Sequence, residues 1–267
     1  RHSAVWVTNN PVIEAIGGAQ VQITGVDQMD SPDWSAALML GAATYDFGLA
    51  GQVRLDGNTR VFMEGNFVAP AGQGFTATAG DVLTLRGNIT GDPTTLTLNG
   101  LDVLLERANI NVGSLRVPNV TINATRDIEL NVSTISPFDA AINVTLNAAA
   151  GNSGSGAIQI IDSGIYSGGG DITIGGGSTA VGPNITSPQA GALATDATQE
   201  GGVVIRGSSI SADFGNVRIS GQSTVADGRG VFQLPGVALT LSVYTADERR
   251  LRCHLKFVGN KRYEITD

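Results

Sequence analysis

From Val61 onward every seventh residue is apolar: Val61, Val68, Phe75, Val82, Ile89, Leu96, Val103, Ile110 and Val117. With 42% of the chain hydrophobic, an unbroken run of this length arises by chance roughly once in a few thousand trials for one phase. A seven-residue apolar period ordinarily specifies a coiled coil. Here Gly65, Pro70, Gly72, Gly74, Gly80, Gly87, Gly91, Pro93, Gly100 and Gly113 fall between the rungs and break any continuous helix. Seven residues also make one short strand and one turn, and three such sides close a coil of about 21 residues with a triangular section.

The same offset returns downstream in fresh phases, as Ile128, Ile135 and Ile142, then Ile158, Ile165 and Ile172, then Val203, Ile210 and Val217. Each set reads as one coil. The coil starts, Val61, Val82, Val103, Ile128, Ile158 and Val203, lie 21, 21, 25, 30 and 45 residues apart, as expected if insertions bulge from a corner of a stacked spiral. Composition agrees: 36 glycines, 5% aromatic and 15% charged residues suit short strands and tight turns better than helices. The sequence therefore predicts an all-β chain, a right-handed parallel β-helix (β-solenoid). Residues 1–55, with Trp6 and Trp34 but no clean ladder, are expected to be a β-rich cap or lead-in segment. Residues 56–245 form the solenoid, with an insertion loop at 175–202. Residues 246–267 make a charged tail or cap, as a strand or a short amphipathic helix.

A net charge of −8 disfavours nucleic acid and anionic membranes as partners of the body. Arg249, Arg250, Arg252, His254, Lys256, Lys261 and Arg262 gather at one end and read as a solvated face. Cys253 is the sole cysteine, which excludes an internal disulfide framework. No run of about 18 apolar residues exists to span a bilayer as a helix. The chain begins at Arg1 with no charged leader before the first strands, as expected of a processed chain or an excised fragment.

Several strings carry a family likeness: Ile142–Asn147 (INVTLN), Gly154–Ile161 (GSGAIQII), Ser167–Gly177 (SGGGDITIGGG) and Ser208–Gly221 (SSISADFGNVRISG). On these, the stretch Ala140–Gly230 resembles the secreted exoproteins of the filamentous haemagglutinin type, the passengers of bacterial two-partner secretion. The resemblance implies export through a partner outer-membrane transporter, folding outside the cell, and service as an adhesin stalk or as the carrier of a terminal effector. The ligand would be a protein or carbohydrate surface, or a sibling molecule. The family's secretion domain usually carries Asn-Pro motifs; this chain has only Asn10-Pro11, too short to establish that domain, so by the resemblance it is expected to lie beyond the export signal.

Material for catalysis is thin. His2 and His254 are the two histidines, too few for a triad or a histidine metal site, and no cofactor or metal is expected. Asp81, Asp102 and Asp127 each precede the first apolar residue of a coil. Stacked in one column they would give a polysaccharide lyase or hydrolase its acids, or would mark corners by capping backbone N–H groups. The capping reading is preferred, because the column stops at Ala157 and Gly202 and no obvious Arg or Lys pattern completes a lyase site. Gly168-Gly169-Gly170-Asp171 and Gly175-Gly176-Gly177-Ser178 lack the ending of a phosphate loop and read as corner glycines. Asn88, Asn119, Asn123, Asn131, Asn143 and Asn184 begin Asn-x-Ser/Thr triplets, the glycan acceptor pattern of secreted chains. A surface-exposed structural and adhesive protein is the leading expectation. An enzyme, and a filament subunit pairing through its end rungs, are the alternatives.

Overall fold

A parallel strand cannot satisfy its backbone alone; each N–H and C=O on its edge needs a neighbour. In the computed structural model that neighbour is always the next coil. The structure describes residues 3–15, 17–27, 36–149, 156–176, 192–194, 201–223, 229–233, 241–244 and 250–253. Among them are 29 strands and no helix, hence none long and apolar enough to cross a membrane. Three parallel sheets of nine, eight and eight strands run the length of the body, here called A, B and C.

Each coil contributes one strand to each sheet in the order A, B, C. Coil 1 is Ser3–Val7, Val12–Glu14 and Val21–Gly25; coil 2 is Ala36–Leu40, Thr44–Asp46 and Val53–Gly57. Coil 3 is Val61–Met63, Asn66–Ala69 and Gly74–Ala79; coil 4 is Val82–Leu85, Asn88–Gly91 and Thr95–Gly100. Coil 5 is Asp102–Glu106, Asn109–Val112 and Asn119–Ala124; coil 6 is Ile128–Asn131, Thr134–Pro137 and Asn143–Ala148. Coil 7 is Ile158–Ile161, Gly164–Tyr166 and Ile172–Gly176; coil 8 is Gly201–Arg206, Ser209–Ser211 and Val217–Ile219. Arg229–Gln233 adds a ninth strand to sheet A. The molecule is a parallel β-helix with about 21 residues per coil, and its sheets pass residue 55 without a break, since Val53–Gly57 pairs on both sides.

The core is a bundle of vertical columns. In sheet A, Leu38, Val61, Leu83, Val103, Ile128, Ile158 and Val203 stack in register. In sheet B the column is Tyr45, Phe67, Ile89, Ile110, Ile135, Ile165 and Ile210. In sheet C it is Val53, Phe75, Leu96, Val120, Val144 and Ile172. All of these are buried. Tyr45 stacks on Phe67 with ring centroids 4.5 Å apart, and its hydroxyl donates to Gly41 O at 3.1 Å. Burial pushes the Tyr45 phenol up to about 12.

Three rungs of the sequence ladder are displaced. Val68 and Val82 lie on the outward side, half-exposed, while Phe67 and Leu83 take the core positions. Val117 is 55% exposed in the segment between sheets B and C. Ile142 is buried, yet Val144 is the residue in register with Ile172. The cause is that the three sides are unequal. From coil 5 on, the corner between sheets A and B holds one residue more than in coils 3 and 4, and that residue is left-handed: Arg107 (φ 52°), Val132 (φ 51°), Asp162 (φ 48°) and Gly207 (φ 56°). The next residue turns inward, and in coils 6 to 8 it is a buried serine, Ser133, Ser163 or Ser208. Their Oγ atoms accept from the N–H of the preceding coil, Ala108 to Ser133 at 3.1 Å, Ser133 to Ser163 and Ser163 to Ser208 at 3.0 Å, and donate to strand-end carbonyls.

Gly168 and Gly169 occupy a corner as expected, with φ 63° and 115°. Gly175 and Gly176 instead end the strand Ile172–Gly176. A Cβ at 176 would lie 2.4 Å from Ala148 O and 2.9 Å from Ala192 Cα, so close backbone approach, not a turn, demands glycine there. Of the insertion at 175–202, Ala192–Ala194 pairs in parallel with Gly221–Ser223; residues 177–191 and 195–200 lie outside the described residues. In the charged tail, Arg250–Cys253 pairs antiparallel with Leu241–Tyr244. Trp34, His2 and His254 lie outside the described residues.

Two substitutions test the register. Phe67→Ala is expected to cost about 3–5 kcal/mol by urea unfolding, whereas its neighbour Val68→Thr stays within about 0.5 kcal/mol. Val132→Gly, relieving a β-branched residue from the left-handed region, is expected to raise stability by about 1 kcal/mol.

Candidate functional site

The acidic column is the first place to look for chemistry. Asp102 pairs in register with Val82, not Asp81, so Asp81 stands one residue out of line. Asp102 and Asp127 are aligned, each one residue before the paired Val103 and Ile128. Both carboxylates cap backbone: Asp102 Oδ1 accepts from Asp127 N–H at 3.1 Å, and Asp127 Oδ1 from Ala157 N–H at 2.7 Å. Asp102 also binds the Arg126 guanidinium through Nε, at 2.7 Å, and Nη2. Asp127 lies 4.0 Å from the same Nε, and Asp81 lies 3.7 Å from Arg60 Nε.

Two arginines therefore stand among the three carboxylates, where the sequence showed no basic pattern. Stacking of successive coils brings Arg60 to Asp81 and Arg126 to Asp102, while Arg126 directly precedes Asp127 in the chain. The hydrogen-bonded Asp102 holds the Arg126 guanidinium above its ordinary pKa, so it remains a cation throughout the accessible pH range. What the arrangement does chemically is neutralise and cap. Among the described residues no three His, Cys, Asp or Glu side chains group as a metal site would require.

A second feature lies on the corner between sheets A and B. Glu64, Arg86, Glu106, Arg107, Asn131 and Val132 line a cavity of about 460 Å³. Arg86 is paired with Glu106 and sits over the Phe62 ring, 5.2 Å from its centroid, a cation–π contact. The left-handed Arg107 and Val132 shape this groove. Sequence reading missed it because a single added residue at a corner leaves no compositional mark.

The glycan-acceptor triplets fall largely on strands of the outer surface. Asn88 Nδ2 donates to Asn66 Oδ1 at 2.6 Å, Asn123 Nδ2 to Asn99 Oδ1 at 3.0 Å, and Asn143 Nδ2 to Asn119 Oδ1 at 3.0 Å. These are side-chain ladders linking successive coils, and in three of the sites they engage the nitrogen that a glycan would use. Asn131 lines the groove, and Asn184 lies outside the described residues. The ladder continues downstream: Asp171 N–H donates to Asn143 Oδ1 at 3.0 Å, and Asp171 Oδ1 accepts from Asn216 N–H at 2.8 Å and Asn216 Nδ2 at 2.9 Å.

No protein family, curated protein or solved structure was found to match the chain.

The two Asn216 hydrogen bonds, with Arg218 nearby, hold the Asp171 carboxyl below its usual pKa. A depressed carboxyl stabilises the fold above its unfolded pKa of about 3.9 and loses that contribution as pH falls through the lower folded value. Asp171→Asn is therefore expected to lower stability at neutral pH and to flatten the acid limb below about pH 4, measured by denaturant unfolding across pH.

Proposed function

We propose that this β-solenoid is a segment of a secreted or cell-surface adhesive protein, a rigid spacer whose lateral faces make contact with a protein or carbohydrate surface. The observation that carries this reading is the unbroken stack of coils, in which chain length is converted into height at about 4.8 Å per coil. Eight such coils make a stiff rod of roughly 35–40 Å. Its outward polar groups are tied to one another in ladders, and the acids best placed for chemistry cap backbone and pair with arginine. The resemblance to filamentous haemagglutinin-type exoproteins supports an extracellular setting and export through an outer-membrane transporter.

A polysaccharide-cleaving enzyme has one observation in its favour, that Glu64 and Glu106 line the same cavity beside two arginines. The two readings separate in one experiment. The purified chain is passed over immobilised matrix proteins and polysaccharides, and the same polysaccharides are assayed for new reducing ends and unsaturated products. Saturable binding with the polymer left intact is the expected result. Depolymerisation that disappears in Glu64→Gln, Glu106→Gln, Asp102→Asn or Asp127→Asn would replace the adhesive reading with the enzymatic one.

A further inference from the structure

The outward face of sheet C repeats one short string: Thr95–Asn99 is TLTLN, Asn119–Asn123 is NVTIN and Asn143–Asn147 is NVTLN. Alternation sends Leu, Val and Ile inward and Thr and Asn outward. The register then sets the outward residues in columns. The middle column is Thr76, Thr97, Thr121, Thr145 and Thr173, a threonine on each of five successive coils. One flank is Gly74, Thr95, Asn119 and Asn143, and the other is Thr78, Asn99, Asn123 and Asn147.

Nothing charged or aromatic interrupts this block in coils 3 to 6; Arg54 and Asp56 bound it on one side, Asp171 and Arg218 on the other. The asparagine flanks are fixed by hydrogen bonds along the column, Asn99 to Thr78 at 3.5 Å, Asn123 to Asn99 at 3.0 Å, Asn147 to Asn123 at 3.3 Å and Asn143 to Asn119 at 3.0 Å. Such side-chain ladders are the devices that hold a sheet flat. The middle threonines are stiff at χ1, and among the described residues their hydroxyls make no hydrogen bond. Asn147 itself is only 6% exposed and closes the grid at its coil 6 end, where the next residue in its column is Gly175.

The face is thus a preordered grid of hydroxyls, methyls and amides with unmet hydrogen-bonding capacity. Its repeat is about 4.8 Å from coil to coil and about 6.6 Å between outward residues along a strand. The coil-to-coil spacing lies close to the oxygen repeat of hexagonal ice along its a axis. A mineral surface calls for charge, and stacked sugar rings call for aromatic platforms; the grid has neither. We propose that the outward face of sheet C binds ice, its threonine column holding a layer of ordered water in register with the crystal. The fit costs little ordering, since the side chains are held in place before contact. This inference rests on the register of sheet C and is independent of the adhesive reading.

The test is partition of the purified chain into a slowly growing ice hemisphere, with recrystallisation of fine-grained ice as a second readout. The parent protein is expected to enter the ice and to arrest recrystallisation. Thr97→Lys with Thr121→Lys is expected to abolish both while far-UV circular dichroism and Tm are retained. Thr121→Tyr, neutral and strand-favouring, serves where the lysines unfold the chain. Thr84→Lys, on the outward side of sheet A, is expected to behave as the parent. Exclusion of the parent from ice overturns the proposal, as does equal loss in Thr84→Lys. Adsorption to microcrystalline cellulose or powdered calcite in place of ice overturns it too.

Discussion

Every strand of the body depends on the hydrogen bonds it makes with the coil above and the coil below. In a hairpin or meander a strand pairs with its neighbour in sequence; here its partner lies a full coil away, and the pairing holds residue for residue from Leu38 to Val203 in sheet A. That one constraint fixes the rest. It forces like residues into columns, valine and isoleucine on the inside, serine at the corner, asparagine and threonine outside. It also sets the repeat to which any extended ligand of the surface must conform.

The columns explain what the sequence discloses. A core position in a stacked coil must be apolar in every coil, so the sheet A column through Val103, Ile128, Ile158 and Val203 is visible as a period and agrees with the structure. The phase is less visible. Val68 and Phe67 are both apolar, as are Val82 and Leu83, and a counting argument cannot choose between neighbours when the side lengths differ. The left-handed residue that lengthens the corner is arginine, valine, aspartate or glycine, with no common chemistry for a reader to find.

Candidate sites were legible in proportion to how local they are. Asp102 and Asp127 are marked by their place before a coil start, but the pairing of Arg126 with Asp102, a coil earlier, arises only through stacking. The asparagines drew attention as modification triplets, while their partners one coil away show them to be rungs of ladders. The threonine grid was in plain view as three near-identical strings. Its signal is the recurrence of the polar half of a strand, where attention to the apolar half alone passes over it.

The corner between coils has a consequence for how such a chain changes over generations. Successive coils differ widely in residue count, with stacked serines 30 residues apart from coil 6 to coil 7 and 45 apart from coil 7 to coil 8, yet each adds one rung. Genetic insertions at a corner therefore alter the outline without altering the pitch, and duplication or deletion of a whole coil joins surfaces that already match. Lineages carrying this architecture can vary in length and in ornament as separate traits, each open to selection without the other.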